Sequence, residues 1–377
     1  MKHLEILWRF LALGCASFGG PAAHVGYFRK AFVEKEKWLD DSTYARLLAL
    51  CQFLPGPASS QLGFAIGCRR GGVLGGVLAF IGFTLPSFLL IVALATATSQ
   101  GNMPPWFDGV VRGLKWLAVV VVADATLGMF RNFCQTRLPM ALCVVTATAL
   151  LTFPNLMVQF GALIVSALIG ASFLKATKEA TPITTQGKIR WGALITFGII
   201  FAVSLGSFTG LFGGFFRAGS LVFGGGHVVL PLLQNGYSEA VSPDRFLLGY
   251  AAAQAVPGPM FCLAGFLGAE LTPTGPWLGA LVATIGVFLP GFLLVVALSD
   301  AWESLAQRPK LAGAVCGLNA AVVGLLLAAF YNPVFLSAVQ TPTHFAITLL
   351  GFFALRGLKL PLLVIVAAIA VTGVFVA

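Results

Sequence analysis

Two stretches of this sequence carry the same set of helix-breaking and polar residues, Gln52-x-x-Pro55-Gly56-Pro57 and Gln254-x-x-Pro257-Gly258-Pro259. Two more carry a glycine break inside an apolar run, Phe18-Gly19-Gly20-Pro21 and Phe223-Gly224-Gly225-Gly226, with a histidine close behind each, His24 and His227. Residues of these types can bind an anion through the main chain. A broken helix exposes backbone N–H groups at the start of its second part, and those donors and the helix dipole together favour negative charge. Glycine permits positive φ and lets an ion come close to the backbone, while proline in the first helical turn sacrifices no donor. Proline and glycine also kink and pack membrane helices, and one Pro-Gly-Pro alone would be read that way. Its duplication, with a glutamine three residues upstream both times, favours a site built from four half-helix termini.

Polar side chains inside apolar runs are the second signal, because their burial is costly. Arg9 and Arg217 precede the two Phe-Gly-Gly breaks. They differ by three positions in repeat register, so both guanidinium groups fall within about a turn of one place. Each offers a planar fork of donors to an oxyanion; snorkelling to an interface is the competing reading. Gln52 and Gln254 are neutral donors. Lys115 and Asn319 occupy matched positions, suited to helix–helix hydrogen bonding, or to substrate binding by Asn319 and a proton or gating role for Lys115. His24 and His227 are candidate proton carriers or interfacial residues. Asp124, in VVVVADATLG, is expected to pair with Lys115 or Arg112, with a proton relay as the alternative. The seven cysteines form no Cys-x-x-Cys and the four histidines lack ligand spacing, so no metal site, disulfide framework or cofactor is expected.

The elements that must position these residues are membrane helices. Hydrophobic residues make up 58% of the chain and charged residues 10%, and mean hydropathy is +0.93. Apolar runs of bilayer length recur throughout, which defines an all-α polytopic membrane protein in a lipid bilayer. No cleavable signal peptide is expected. The net charge of +10 fits basic cytoplasmic loops rather than nucleic-acid binding, and it also suits an anionic substrate. The charge-balanced stretch 29–46 reads as an amphipathic interfacial segment.

The chain is a duplicated unit. Phe18 matches Phe223, Gln52 matches Gln254, Leu85-Pro86 matches Leu289-Pro290 and Gly113-Leu114 matches Gly317-Leu318, at separations of 205, 202, 204 and 204. In the first half basic residues lie at Arg69-Arg70, Arg131, Arg137 and across Lys175–Arg190, and the intervening turns have none. In the second half the pattern reverses, with Arg308, Lys310, Arg356 and Lys359 in the turns that were empty before. The positive-inside rule then predicts two inverted repeats, 1–174 and 208–377, joined by a basic loop and one linking helix within 175–207. The expected spans are 73–98, 107–130, 138–152, 156–174, the linker, 277–299, 311–330, 343–355 and 361–377. Each half also opens with a broken unit, 4–68 or 208–269. Thirteen segments (six, one, six) result if those units cross twice, and nine if they are re-entrant. Either count leaves the N-terminus cytoplasmic and the C-terminus external.

Phe-Gly-Gly-Pro near the N-terminus, Gln-x-x-Pro-Gly-Pro, Phe-Gly-Gly-Gly-His and GLNAAVVGLLLAAFYNP (Gly317–Pro333) resemble the chromate ion transporter family, in its long form of two fused halves. The resemblance covers nearly the whole chain. It implies a bacterial or archaeal inner-membrane protein that exports chromate and confers resistance to it, with sulfate as a second, isosteric dianion. Two departures stand out: Gly226 replaces proline after the second Phe-Gly-Gly, and Lys115 stands opposite Asn319. The expected function is secondary, non-ATP chromate export by alternating access, since no P-loop is present. A sulfate-selective permease or channel on the same scaffold is the alternative. An integral-membrane chromate reductase is disfavoured, because neither a dinucleotide fingerprint nor paired cysteines occur. A homodimer is compatible with the sequence, because a dimer interface and a lipid-facing surface look alike.

Overall fold

The architecture follows from helix signals and the breaks between them. The computed structural model describes residues 2–18, 20–99, 104–174, 187–206, 209–223, 228–237, 239–302 and 308–376, and no strand occurs among them. In the first half, α1 (Lys2–Ala16) stops at the Ser17-Phe18 break and α2 (Gly20–Arg29) follows, extended by a π turn over Lys30–Lys35. Next come α3 (Asp41–Phe53) and α4 (Ala58–Ser99), the latter bent where Gly71 and Gly72 leave helical geometry. Then α5 (Pro105–Phe133), α6 (Arg137–Thr152) and α7 (Leu156–Phe173) complete the half.

After α8 (Trp191–Ser204) the order repeats. The opening unit is α9 (Gly210–Ser220), α10 (Val229–Tyr237), α11 (Pro243–Ala255) and α12 (Leu263–Glu270), the last entered through a short 3-10 turn at Met260–Cys262. It is followed by α13 (Pro276–Leu298), α14 (Pro309–Ala329), α15 (Pro342–Arg356) and α16 (Leu362–Phe375). The helix starts correspond as well. Asp40 caps α3 by accepting from the Thr43 N–H, and Ser242 caps α11 by accepting from the Arg245 N–H.

Four helices are long and apolar enough to cross a membrane: Ala58–Ser99, Trp106–Phe133, Pro276–Leu298 and Pro309–Ala338. Each of the other expected spans is an apolar helix that is shorter, such as Arg137–Thr152 and Leu362–Phe375. The opening helices are shorter still. The 15 residues of α1 reach about 22 Å and the 11 of α9 about 16 Å, against a hydrocarbon core of about 30 Å.

The halves are interlocked. Helix α1 lies along α4 and α9 lies along α13, but α5 packs against α16 of the second half while α14 packs against α7 of the first. Glycines make this exchange close. A Cβ at Gly109 would meet the Val374 backbone at 2.6 Å, and one at Gly317 would meet Gly170 Cα at 3.0 Å, the close approach that small residues allow between membrane helices. Each half thus completes its packing on the C-terminal helices of the other.

Candidate functional site

The breaks of the two halves meet each other. The Gly56 N–H donates to the Val222 carbonyl at 2.7 Å, and the Gly258 N–H donates to the Ser17 carbonyl at 2.9 Å. Val222 and Ser17 hold the same place, immediately before the phenylalanine of each Phe-Gly-Gly. Each Pro-Gly-Pro of one half is therefore tied to the glycine break of the other. Both central glycines have positive φ, 123° at Gly56 and 99° at Gly258. Each also lies against the opposite half's long helix, at the residue after its internal proline. A Cβ on Gly56 would meet Gly291 Cα at 3.1 Å, and one on Gly258 would meet Ser87 Oγ at 2.8 Å. Only glycine satisfies both the backbone angle and the approach.

Around this crossing several buried groups are polar. The His24 ring is fully buried against Phe83, with Nε2 at 3.3 Å from the Ser17 carbonyl and Nδ1 at 3.4 Å from Ser59 Oγ. A carbonyl can only accept, so Nε2 carries the hydrogen and Nδ1 takes the serine proton. His24 in this arrangement ties the Phe18 break to the start of α4. Gln61, also fully buried, donates from Nε2 to the Pro55 carbonyl at 2.9 Å and the Gly291 carbonyl at 3.3 Å. The hydroxyls of Ser17, Ser60 and Thr84 are buried and have no hydrogen-bond partner among the described residues. Such groups call for a polar occupant, and hydroxyl donors beside a helix start suit an anion.

The expected site residues divide into several groups. Pro55, Gly56, Pro57, Pro257, Gly258 and Pro259 stand at the crossing with Gly20 and Pro21 one short step from it. Gly19, Gly224, Gly225, Gly226 and His227 lie outside the described residues. The two glutamines differ: Gln254 is buried and donates to the Met260 sulfur, whereas Gln52 is exposed. The two arginines share no partner. Arg9 is exposed and pairs with Glu36 at 2.8 Å. Arg217 donates to the Ser204 carbonyl at 3.1 Å and lines a cavity of about 110 Å³ with Gln159 and Tyr237.

Lys115 pairs with Asp244 at 2.6 Å, tying α5 to the start of α11. Its counterpart Asn319 is buried, and its Oδ1 has no partner among the described residues. Asp124 pairs with Arg356, 232 positions away, rather than with Lys115 or Arg112. The partner changes because α15 packs on α5 across the two halves. Sequence reasoning passed over Gln61, Ser17 and Ser60. The first lies within the PASSQLGF stretch but has Leu263 as its counterpart, so a search for duplicated residues misses it.

A larger cavity of about 540 Å³ opens between α3, both limbs of α4 and the end of α13. Its lining includes Arg46, Arg69, Arg190 and Asp300. Among the described residues no group of His, Cys, Asp and Glu is arranged to hold a metal.

The sequence profile of the family described as "Chromate transporter" matches residues 4–172 and again 209–374. The chain is 31% identical to a probable chromate transport protein of Synechococcus elongatus, with 96% of this chain and 93% of that protein aligned. It is 30% identical to the chromate transport protein of Pseudomonas aeruginosa (99% and 92% aligned) and 28% identical to that of Cupriavidus metallidurans (98% and 92% aligned). No solved structure matches it. With one profile matching both halves, full-length relatives and the reciprocal breaks, this all-helical chain belongs to the chromate transporter family.

Proposed function

We propose that the chain is a secondary transporter that exports chromate from the cytoplasm and so confers chromate resistance, working by alternating access between two inverted repeats, 1–174 and 208–377. The observation that carries this reading is the reciprocal tie at the breaks, Gly56 to Val222 and Gly258 to Ser17. It sets the break of the second half against a buried place where the hydroxyls of Ser17, Ser60 and Thr84 in the first half have no partner among the described residues. In this reading the anion sits among the N–H groups at the start of α4 and the hydroxyls of Ser17, Ser60 and Thr84. Non-helical backbone at membrane depth is tolerated where protein or a water-filled cavity surrounds it, and such breaks in both repeats mark a transporter's midplane site. The short opening helices favour re-entrant units over full crossings.

The energetics need no nucleotide. A negative-inside potential of about 100 mV favours exit of each negative charge by about 2.3 kcal/mol. For a dianion this is about 4.6 kcal/mol, or about three decades of concentration. The reversal of Lys and Arg between the halves supports inversion and a cytoplasmic N-terminus with an external C-terminus, in the inner membrane of a bacterium or archaeon. Reporters fused to each terminus test that arrangement, and finding both on one side refutes it. Equilibrium dialysis of the purified chain against chromate, sulfate and molybdate tests the substrate. Tighter binding of sulfate than of chromate would replace chromate export with a sulfate permease.

A further inference from the structure

The two halves repeat the same elements, yet they do not present the same surface. The helix caps Asp40 and Ser242 set Thr43 opposite Arg245, and the Pro-Gly-Pro motifs set Leu50 opposite Ala252 and Cys68 opposite Glu270. The prolines inside α4 and α13 set Ile91 opposite Val295 and Ala95 opposite Ser299. In the first set of positions, Thr43, Leu50, Cys68, Val295 and Ser299 line the open cavity of about 540 Å³. In the second set the space is filled. Ile91, Val92, Ala95 and Ala252 are buried, and Arg245 forks onto Glu270, with Nε donating to Oε2 at 2.9 Å and Nη2 to Oε1. The same guanidinium reaches the Ala95 carbonyl at 3.5 Å and lies 5.3 Å from the Phe266 ring centroid. It thereby joins α11, α12 and α4 at the place where, in the other half, the walls stand apart.

The ionic side chains differ as well. In the filled site Arg245 is paired with Glu270. Among the described residues that line the open cavity stand Arg46, Arg69, Arg190 and Asp300. Arg190 is paired with Asp300 at 3.0 Å, and its backbone N–H is fixed to the Ala297 carbonyl. Arg69 is exposed and has no ion-pair partner among the described residues. An exposed guanidinium on a concave surface attracts an ion of opposite charge. Guanidinium groups suit the oxygens of a tetrahedral dianion.

We infer that the arginine-lined cavity is the acceptance site for a tetrahedral oxyanion dianion on the face carrying the basic loops, and that the Arg245–Glu270 pair latches its repeat-related counterpart shut on the opposite face. Arg69 captures the anion, on a wall that faces Arg190 across the cavity. Opening the opposite face requires the latch to part, exposing Ala95 and Ala252. This inference rests on the oxyanion-transport reading.

The test reads side-chain chemistry rather than flux, so that it stays separate from that reading. In a full-length variant retaining Cys68 as its only cysteine, a negatively charged thiosulfonate should modify Cys68 faster than a positively charged one of the same size, by about tenfold or more. Arg69→Gln should bring that ratio down severalfold. Equal rates for the two reagents, or a ratio that Arg69→Gln leaves unchanged, overturn the acceptance site even in a chain that binds chromate. For the latch, a reporter cysteine at Ala252→Cys should be protected in the otherwise native chain and react at least about tenfold faster with Glu270→Gln. The exchange Arg245→Glu with Glu270→Arg should restore protection. Equal reactivity in the native and Glu270→Gln backgrounds, both showing cooperative unfolding, overturns the latch.

Discussion

Replacing Gly56 with alanine perturbs the crossing at one atom. At φ of 123° an L side chain is strained, which costs about 1–3 kcal/mol. The added Cβ would also stand 3.1 Å from Gly291 Cα, on the backbone of the opposite half, and 3.0 Å from Gln61 Nε2. Backbone on a packed helix gives little, and overpacking of this kind costs about 1–3 kcal/mol. Gly56→Ala should therefore destabilise the protein by about 2–6 kcal/mol and weaken the Gly56 to Val222 hydrogen bond. Gly26→Ala is the control. Gly26 lies inside α2, and a Cβ there meets nothing within 4 Å, so the change should be neutral or stabilising by up to about 1 kcal/mol. Unfolding of both variants in mixed micelles, followed by circular dichroism, measures the difference. Stabilities within about 1 kcal/mol of each other would refute the claim that the Pro-Gly-Pro turn is held against the other half.

Three further outcomes follow from the same geometry. Gln61→Leu leaves the Pro55 and Gly291 carbonyls without their donor and should cost about 1–3 kcal/mol in the same unfolding assay. Asp124 and Arg356 pair across the halves with side chains 38% and 31% exposed, so a double-mutant cycle should give a coupling of about 1 kcal/mol or less. Asp40, outside the membrane-spanning helices, has its carboxyl lowered to about 2 by the Thr43 N–H and the Ser42 hydroxyl. The folded value lies below the unfolded one, so the cap's contribution is complete above about pH 4 and lost as pH falls through about 2. The difference in melting temperature between the native chain and Asp40→Ala should accordingly hold from pH 7 to 4 and disappear toward pH 2.

The helices and their breaks were legible in the sequence because their causes are local. Apolar runs and Pro-Gly-Pro each dictate backbone shape over a few residues. The match of Gln52 with Gln254 and of Phe18 with Phe223 also aligned the halves correctly, as the cap pair Asp40 and Ser242 attests. What remained hidden depends on which half touches which. Asp124 was expected to find a cation on its own helix, but the exchange of C-terminal helices brings Arg356 to it. Arg9 and Arg217 stand in similar register, yet the former meets Glu36 of the interfacial segment and the latter meets Ser204 ahead of α9. Duplication aligned the backbone breaks that meet at the crossing and said little about the side chains around them. Gln61, Cys68 and Glu270 have unlike counterparts, and those differences distinguish an open side from a latched one.

The central claim, that the paired breaks carry an oxyanion across the membrane, is tested most directly by chromate flux in liposomes containing only the purified chain. The account predicts saturable chromate exit without nucleotide, rising about tenfold for each 1.4 kcal/mol of imposed potential energy until transport limits it. Flux no greater than from empty liposomes, or flux indifferent to the potential and to chromate saturation, would contradict it.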